Sequence, residues 1–375
     1  MVETRETPMG GDLRDFLEVA SHIYRHDPNF IRPLDLDLSE RLNPKKNPFF
    51  EHGDGSIFTA HRDGVCVGRV TAQVDREHLA RHHDDTGFFG FFDTIDDEGV
   101  ARELLARAEA WLRSRGMKAS RGPLSLSINE EVGCLVDGFD TPPFLMMPHH
   151  RPYQGGFIEK AGYTKAKDFF AWRYVVGDLN ARTRRAFESI QALPEVSLRP
   201  ASLKHLERDV AILVDIFNDA WSDNWGFVPF TQNEVHKMAK DFKMLLLPEL
   251  TQIVSIDGQP AAVAVALPNV NEMIRDLDGK LFPFGLVKLL YRLKVKGPST
   301  ARLVILGVRK KYRHVRKYMA LSAFMYATMN EAGRRLGIKS GELGWTLEDN
   351  GAVTAGIRMM GGSPYKRYRV YQKVL

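Results

Sequence analysis

The strongest constraint on the fold is an internal repeat that covers most of the chain. Two alternating apolar strands meet at Asp63-Gly64 in SIFTAHRDGVCVGRVTAQV, and TQIVSIDGQPAAVAVAL repeats this design around Asp257-Gly258. An Asp-Gly pair between alternating runs is a strong signal for a β-hairpin with a two-residue turn. The turn glycines lie 258 − 64 = 194 residues apart. The sequence therefore predicts a duplicated α/β plan.

The elements that follow each hairpin also match. The helical pattern EGVARELLARAEAWLRSRGM ends at Gly116 and YMALSAFMYATMNEAGRRLGI ends at Gly337, an offset of 337 − 116 = 221. A strand with acidic and amide residues at its end follows in each copy, PLSLSINEE and GELGWTLEDN, and Asn129 and Asn350 keep the offset, 350 − 129 = 221. Each copy then closes with a helix, a glycine and an aromatic-rich strand.

The two copies join near VVGDLNARTRRAFESIQALPEVSLRP. A chain of 375 residues is long enough for two domains, each with its own core. We expect an N-terminal domain over residues 1–178, in which residues 1–51 form an arm or a helix pair, and a C-terminal domain over residues 190–375.

Composition excludes several classes of protein. The 44% apolar and 26% charged residues are ordinary for a globular chain, and the net charge of +5 permits an anionic partner without specifying one. Two cysteines, Cys66 and Cys134, cannot build a disulfide framework or a four-ligand metal site, so no metal is expected. Because no signal peptide or spanning run of ~20 apolar residues is visible, we expect a cytoplasmic protein, with peripheral attachment to the inner membrane face left open.

A cluster of positive charge stands out in LGVRKKYRHVRKYMALSAFM, which reads as a strand running into a long helix. Six cations lie between the two elements: Arg309, Lys310, Lys311, Arg313, Arg316 and Lys317. Cations near a helix N-terminus are normally disfavoured by up to ~1 kcal/mol each. A bound phosphate would explain them; the alternatives are a solvated face or a patch for anionic lipid or nucleic acid.

The equivalent loop of the first copy is acidic. In DTIDDEGVARELL the residues Asp93, Asp96, Asp97 and Glu98 suit helix capping and would repel a phosphate. We therefore expect the second copy to bind a phosphate-bearing cofactor. The first copy is expected to be degenerate, with a structural role or a role in binding the second substrate, the acceptor.

This order of elements resembles the GNAT N-acyltransferase superfamily, here in tandem. ARLVILGVRKKYR resembles the family's fourth strand and the start of its cofactor motif, and GELGWTLEDNGAVTAGIRMMGG its fifth strand and following helix. FIEKAGYTKAKDFFAWRY resembles the closing helix and last strand. NPKKNPFF and GFFGFFDTIDDE also resemble bacterial N-acetyltransferase-like proteins. The implied fold is two tandem GNAT-like α/β domains with mixed central sheets flanked by helices.

The resemblance implies acyl transfer to an amine. The donor would be a coenzyme A thioester or an acyl carrier protein, and the acceptor a small-molecule or lipid amine. Tandem members of this fold include N-myristoyltransferases and aminoacyl-tRNA-dependent transferases, so a charged tRNA is the alternative donor. A third possibility is a non-catalytic binding protein.

The resemblance also implies a cofactor site. A fourth-strand backbone N–H would meet the thioester carbonyl near Gly307 or Val308. In the family's Arg/Gln-x-x-Gly-x-Gly/Ala pattern, Arg313 holds the first place, but Arg316 and Tyr318 replace the glycines. Arginine side chains would then bind phosphate in place of the backbone. The expected cofactor-binding residues are Gly307, Val308, Arg309, Arg313, Arg316, Lys317 and Asn350.

The family's usual proton donor is missing. The position that holds a tyrosine in related enzymes is Ile357 here, and Ile158 in the first copy, and neither can donate a proton. Tyr365 and Tyr153 are the candidate replacements, although a tyrosine is more often a half-buried core residue. We take Tyr365 as the catalytic acid.

Three carboxylates on or after the fifth strand are candidate bases: Glu342, Glu348 and Asp349. Helix capping is the alternative role for those next to Asn350. We take Glu348 as the base.

An aromatic stretch, FNDAWSDNWGFVPFT, lies where related enzymes admit acceptor substrates. Trp221 and Trp225 are four residues apart, on one predicted helical face, with Asn224 alongside. The expected substrate-binding residues are Trp221, Asn224 and Trp225; the alternative is an aromatic hinge that fills the core.

A lipid role is indicated by residues 280–297, KLFPFGLVKLLYRLKVKG. On a helix the cations Lys288, Arg292 and Lys296 form one line, and the opposite face carries leucines at 286, 289, 290 and 293. This pattern is typical of an interfacial helix or a lid over an acyl chain, and an ordinary packed amphipathic helix is the alternative. It favours a long acyl chain and a ceramide-like product.

Overall fold

The computed structural model describes residues 2–375, which divide into two compact units. Unit 1 comprises residues 2–170, 274–286 and 366–375, and unit 2 comprises residues 171–273 and 287–365. The assignment of residues 1–178 and 190–375 to a degenerate and a cofactor-binding domain stays a prediction.

The first half of the chain contains nine strands and six helices among the described residues. In chain order these are β1 (Glu3–Pro8), α1 (Arg14–Ile23), α2 (Asp35–Arg41), α3 (Phe49–His52), β2 (Gly53–Arg62), β3 (Val65–Asp75), α4 (Arg76–His82), β4 (Thr86–Thr94), α5 (Glu98–Ser114), β5 (Ala119–Gly122), β6 (Leu124–Ser125), β7 (Glu131–Val132), β8 (Cys134–Asp137), α6 (Pro152–Lys160) and β9 (Thr164–Val175).

The second half follows with α7 (Ala181–Gln191), β10 (Val196–Pro200), α8 (Leu206–Trp221), α9 (Gln232–Leu245), β11 (Thr251–Ile256), β12 (Gln259–Pro268), α10 (Val270–Ile274), α11 (Gly285–Tyr291), β13 (Thr300–Val308), α12 (Lys310–Arg313), α13 (Leu321–Arg335), β14 (Ser340–Leu347), α14 (Gly351–Met359) and β15 (Ser363–Val374). Short 3₁₀ turns lie at Leu203–His205, Pro248–Leu250 and Arg316–Tyr318, and a π-helical turn at Arg292–Lys296.

The sheet of unit 1 has the order β1-β2-β3-β4-β5-β15, with β8 also paired to β15. Its pairs are antiparallel except the parallel pair of β4 and β5. Helix α5 covers β3 and β4 with the buried side chains of Leu104, Leu105 and Leu112. Its apolar stripe at helical spacing explains why it packs there.

The sheet of unit 2 has the order β10-β11-β12-β13-β14. Its pairs are antiparallel except the parallel pair of β13 and β14. Helix α8 packs on β12 and β13, and α13 packs beside α7. A mixed sheet flanked by helices is therefore present in each unit, as the sequence predicts.

Both predicted hairpins are confirmed. β2 pairs with β3 and β11 with β12, and the turn residues Asp63, Gly64, Asp257 and Gly258 have φ of 52°, 80°, 50° and 75°. Two consecutive residues at positive φ are the mark of a type I′ turn, whose twist matches that of the strands. The helix-ending glycines Gly116 and Gly337 are also at positive φ, 81° and 75°.

Two expectations for the first half are corrected. The strand predicted over PLSLSINEE is wrong, because β5 ends at Gly122 and Leu124–Ser125 alone continue as a two-residue strand before Glu131. Pro123 lacks the N–H that a ladder needs. The N-terminal arm contains helices as expected, but it also adds β1, which pairs with β2 from Glu3↔His61 to Pro8↔Ser56.

The helix predicted over residues 280–297 is shorter than expected, since α11 covers Gly285–Tyr291 and a π-helical turn follows. Its predicted leucine face is partly wrong: Leu289 and Leu293 are buried, but Leu290 is exposed. Among residues 2–375, the helices are too short or too polar to cross a bilayer.

Candidate active site

Strands β13 and β14 of unit 2 are paired over their first halves. Their parallel register runs through four pairs, from Thr300↔Ser340 to Leu303↔Leu343. β13 then continues to Val308 and β14 to Leu347. Between these continuing halves the two strands present backbone groups to the same space.

The register on the other side of β13 fixes which N–H groups face that space. Arg309 N donates to Ala261 O at 2.9 Å, and Gly307 is paired with Val263 two residues earlier. In an antiparallel ladder, N–H groups point alternately toward and away from the partner strand. Gly307 N–H is therefore directed at β12, whereas the N–H groups of Leu306 and Val308 are directed to the side of β14.

Gly307 lets helix α8 approach the strand closely. A Cβ placed on Gly307 would lie 3.1 Å from the Trp221 ring and 3.1 Å from the Ala220 Cβ. The Trp221 ring also packs on Phe217, with centroids 4.7 Å apart, and Phe217 packs on Phe230 at 5.3 Å. The structure thus brings one predicted acceptor residue beside the predicted thioester-binding strand.

The other acceptor candidates lie past the end of this helix. α8 ends at Trp221, and Asn224 N donates to Trp221 O at 2.8 Å in the turn that follows. Trp225 is next to Gly226, which has φ of 70°. The expectation that Trp221 and Trp225 share a helical face is therefore wrong, because the chain turns between them.

Three of the six cations hold the loop after β13 in place. Arg309 Nε donates to Pro260 O at 2.9 Å, and its guanidinium also pairs with Asp215. Lys310 Nζ pairs with Asp223 at 2.5 Å. Arg313 Nε donates to Val308 O at 2.8 Å. These contacts tie the loop to β12, α8 and the end of β13.

The remaining cations point outward. Lys311 and Arg316 are exposed, and Lys317 pairs with Glu195 while about half of its side chain stays exposed. This hydrogen-bonded pair raises the pKa of Lys317 and lowers the pKa of Glu195. The long helix α13 begins at Leu321, after the Arg316–Tyr318 turn. The loop therefore presents positive charge to solvent just before a helix N-terminus.

A buried ionic cluster joins three residues of unit 2: Arg302 on β13, Glu342 on β14 and Tyr365 near the start of β15. Arg302 Nε lies 2.8 Å from Glu342 Oε1, and Tyr365 Oη donates to Glu342 Oε2 at 2.5 Å. The Glu342 side chain is fully buried and Arg302 nearly so, while Tyr365 is half-buried. A buried carboxylate needs such partners, because an unpaired one would cost several kcal/mol. Tyr365, the predicted acid, is thus coupled to a carboxylate.

The structure places the other predicted residues at the end of β14. Asn350 caps α14, its Oδ1 accepting from Val353 N at 3.3 Å. Glu348 and Asp349 are exposed just before it. Ile357 on α14 and Ile158 on α6 are buried core residues.

Arg302 is a member of the cluster that the sequence analysis did not predict. An arginine inside the apolar run ARLVILGV is a signal, because a buried guanidinium requires a carboxylate. The partner stands at the same level of the next strand, since Arg302 and Glu342 are paired in the parallel register.

The equivalent region of unit 1 differs. β4 and β5 pair over three residues, from Thr86↔Ala119 to Phe88↔Arg121, and β4 continues to Thr94. A Cβ on Gly90 would lie 2.1 Å from Leu124 O, and Gln73 Nε2 donates to that same oxygen at 2.5 Å. The chain after β5 therefore occupies the space beside the second half of β4.

Comparisons with known proteins identify relatives over nearly the whole chain. The chain is 42% identical to a protein named bacterial ceramide synthase from Caulobacter vibrioides over 369 residues, 97% of this chain and 95% of that one. It is 41% identical to the protein YghO of Escherichia coli over 362 residues, 96% of this chain and 93% of that one. No family model matches the chain.

Two solved structures share the fold. A tandem GNAT protein from the clavulanic acid biosynthesis pathway has a TM-score of 0.59 at 13% identity, covering 100% of this chain and 98% of that one. A GCN5-related N-acetyltransferase from Sphaerobacter thermophilus has a TM-score of 0.56 at 12% identity, covering 100% and 95%. The chain belongs to the family that includes the Caulobacter protein named bacterial ceramide synthase and YghO. Its fold is the tandem GNAT fold. It is an acyltransferase.

Proposed function

We propose that this protein is an N-acyltransferase that moves a long-chain acyl group from a coenzyme A thioester to the amine of a lipid, giving a ceramide-like amide. One observation supports acyl transfer from a thioester. The ladder between β13 and β14 ends at Leu303↔Leu343, and Val308 N–H is directed into the space beyond, next to a cationic loop. The name of the Caulobacter relative supports the lipid acceptor and the long acyl chain.

The donor is proposed to bind along this space. Val308 N–H would donate to the thioester oxygen, and this contact strengthens as negative charge develops on that oxygen in the transition state. Lys311, Arg316 and Lys317 are the outward cations proposed to bind the phosphates. Arg309 and Arg313 would act by holding the loop, Gly307 by admitting α8, and Asn350 by capping α14. An acyl carrier protein, whose prosthetic arm ends in the same thioester, is the alternative donor.

The acceptor is proposed to enter from the side of α8. Trp221 lies against Gly307, one residue from Val308. Its ring and the neighbouring turn with Asn224 and Trp225 would form an apolar wall with a polar end. Such a wall suits an acceptor that carries an amine on a hydrocarbon chain.

The reaction forms a C–N bond and breaks the C–S bond. The neutral amine attacks the thioester carbon, and a base removes one proton from the resulting ammonium group. We propose Glu348, exposed at the end of β14, as that base. We propose Tyr365 as the acid that protonates the departing thiolate, with Glu342 and Arg302 positioning its hydroxyl.

Peripheral contact with the inner face of a membrane, through residues 280–297, is part of this proposal. The acceptor of a ceramide-like reaction is a membrane lipid, so an enzyme that uses it needs access to the bilayer surface.

The test is a direct assay. Purified protein is mixed with palmitoyl-CoA or acetyl-CoA and a long-chain amino alcohol, and the amide product is measured by mass spectrometry. We expect amide from palmitoyl-CoA and none from the Tyr365→Phe variant above background. Turnover of acetyl-CoA alone would overturn the long-chain proposal. Turnover of charged tRNA alone would replace the donor.

A further inference from the structure

An exposed apolar surface lies on the segment that connects β12 to β13. Four large apolar side chains of unit 2 between residues 287 and 295 are exposed: Val287 (67%), Leu290 (37%), Tyr291 (59%) and Val295 (69%). Singly exposed apolar residues are ordinary, but a group on consecutive helical turns marks an interaction site. We call these four side chains the outer face.

The outer face is not needed to fill the core. Leu289 and Leu293 of the same segment are buried and supply the inward contact. Val287, Tyr291 and Val295 follow one another at steps of four residues, which places them on one side of the helical segment. The segment therefore has two apolar sides, and one of them remains in water.

Contacts within unit 2 hold the segment in place. Arg292 donates to Met273 O, and Lys294 Nζ donates to Met244 O at 3.1 Å. Two of the three cations of the π-helical turn thus tie it to carbonyl groups elsewhere in unit 2. The outer face is consequently a built surface rather than a loose loop.

The charge around the outer face identifies its partner. Residues 280–297 contain five cations, Lys280, Lys288, Arg292, Lys294 and Lys296, and no Asp or Glu. In a two-fold dimer the same patch would meet itself and set these cations against each other. An anionic lipid surface would instead neutralise them, at about 1 kcal/mol per lysine near the surface.

We propose that the outer face inserts into the interfacial region of an anionic bilayer, with the surrounding lysines on the lipid headgroups. Tyr291 suits this depth, because tyrosine rings prefer the boundary between hydrocarbon and headgroup. The inference deepens the proposed function, since it names the surface from which a lipid acceptor would be drawn.

Strand β13 joins the segment to the proposed reaction site. The segment enters β13 at Thr300, and the cationic loop leaves the same strand after Val308. Nine residues of extended strand span ~30 Å. The proposed membrane contact therefore lies at one end of this strand, and the proposed phosphate and acceptor sites lie at the other. A lipid acceptor drawn from the bilayer would have to extend along the strand to reach Val308.

The first test is co-sedimentation with vesicles of phosphatidylcholine, with and without phosphatidylglycerol. We expect the native protein to bind the mixed vesicles and the triple variant Val287→Ser/Tyr291→Ser/Val295→Ser to bind at least roughly tenfold more weakly. The matched control, Leu36→Ser/Val65→Ser/Leu203→Ser, removes exposed apolar residues elsewhere and should bind like the native protein. Equal binding by both triple variants would overturn the proposal, as would no binding by the native protein.

A second pair of variants tests the charge. Lys288→Gln/Lys296→Gln should weaken binding to mixed vesicles by about 25-fold, or about fivefold per lysine. Lys45→Gln/Lys204→Gln, at exposed lysines outside the segment, should change little. Binding that is indifferent to phosphatidylglycerol would contradict the role of the lysines.

Failure of this inference is separable from failure of the proposed function. With the acceptor dispersed in detergent, the serine variant of the outer face should keep native turnover, and with the acceptor in vesicles it should lose most of it. Vesicle binding without any amide product would overturn the reaction and leave the membrane contact. A native dimer that the serine variant converts to a monomer would assign the outer face to a second copy, and the proposal would fail.

Discussion

The loops that follow β4 and β13 stand at equivalent places in the two copies, yet they have opposite charge and different contacts. In unit 1, Asp97 caps α5 by accepting from Val100 N at 3.1 Å, and Asp93 pairs with buried Arg69 at 2.7 Å. In unit 2, the loop carries six cations, of which Lys311 and Arg316 are exposed. One copy uses the loop to stabilise its own fold, and the other presents charge to solvent.

The strands that precede these loops, β4 and β13, also differ in what lies beside their second halves. Leu124 lies against Gly90 in unit 1 and occupies the space next to the second half of β4. In unit 2 the second halves of β13 and β14 continue past the last pair of their ladder. Under the proposed function unit 2 binds the donor, and the polar groups of the equivalent loop in unit 1 serve internal contacts instead.

Removal of a tyrosine hydroxyl should lower kcat in unit 2, at Tyr365, but not in unit 1, at Tyr153. Tyr365→Phe should lower kcat by roughly 10²–10⁴-fold, because it removes the proposed proton donor without creating a large cavity. Tyr153, whose hydroxyl donates to Thr94 O at 2.8 Å in unit 1, is the matched control. Tyr153→Phe should leave kcat within a few-fold of native. An equal loss of kcat in both variants would contradict the assignment of Tyr365 as the proton donor.

Glu348→Gln tests the proposed base without changing the buried cluster of Arg302, Glu342 and Tyr365. A general base contributes typically 10²–10⁴-fold, so Glu348→Gln should lower kcat by roughly that factor, because the ammonium formed by the attack would then lose its proton only to solvent. Asp349→Asn, one residue away and also exposed, should have little effect on kcat. Full activity of Glu348→Gln would leave Tyr365 and Glu342 to carry the proton transfers.

A smaller effect is expected for the outward cations. Arg316→Ala/Lys317→Ala should raise the KM for palmitoyl-CoA by about 10- to 100-fold. One charge-assisted hydrogen bond contributes ~1.5–3 kcal/mol, and solvent around these two exposed side chains reduces the sum to about one such bond. Asp96→Ala, in the acidic loop of unit 1, should leave KM unchanged. An effect of Asp96→Ala equal to that of the double variant would refute the assignment of the donor to unit 2.

The close contact in unit 1 predicts a change in stability. Gly90→Ala should lower the free energy of unfolding by roughly 1–3 kcal/mol or more, because its Cβ would overlap the Leu124 carbonyl. Gly156→Ala, on helix α6 with open space around it, should be neutral or stabilising. Thermal melts check both, and a Gly90→Ala variant as stable as the native protein would contradict the close packing.

The smallest effect concerns pH and two buried histidines of unit 1. Burial lowers the pKa of His78 to about 4 and that of His150 to about 4. Unfolded histidine titrates near 6.5, so between these values the unfolded state binds protons that the folded state does not. Stability should therefore fall as pH drops, by about 1 kcal/mol per histidine at pH 5.5.

Hydrogen exchange at pH 7 and 5.5 checks this prediction. Amides of unit 1 should lose protection on acidification, and His78→Gln should reduce that loss. His205→Gln, at an exposed position of unit 2, is the control. Unchanged protection in unit 1 at the lower pH would show that the buried histidines do not limit its stability.

Much of the fold was predictable because its signals are local. The Asp-Gly turns, the helix-ending glycines and the closing strands β9 and β15 all follow from short stretches of sequence. The filling of unit 1 beside Gly90 was not predictable, since it depends on where Leu124 lies in three dimensions. For residues 280–297, periodicity predicts an amphipathic helix. It does not predict that Leu289 and Leu293 are buried while Leu290 is exposed, because that depends on how the segment packs.

The candidate site was predicted in pieces. Glu342 and Tyr365 were each proposed from residue type and position, but their hydrogen bond and the role of Arg302 depend on strand register. The direction of Val308 N–H likewise follows from the pairing of β13 with β12, which no local pattern fixes. The roles of Glu348, Tyr365 and the cofactor-binding residues stay predictions.

Hydrogen exchange with and without palmitoyl-CoA, read by mass spectrometry across both units, tests directly whether the acyl donor binds to unit 2. We predict new protection over residues 304–320 and 344–350 of unit 2, and none over residues 86–100 of unit 1. Protection confined to residues 86–100, or none anywhere at saturating palmitoyl-CoA, would contradict the assignment of donor binding to unit 2.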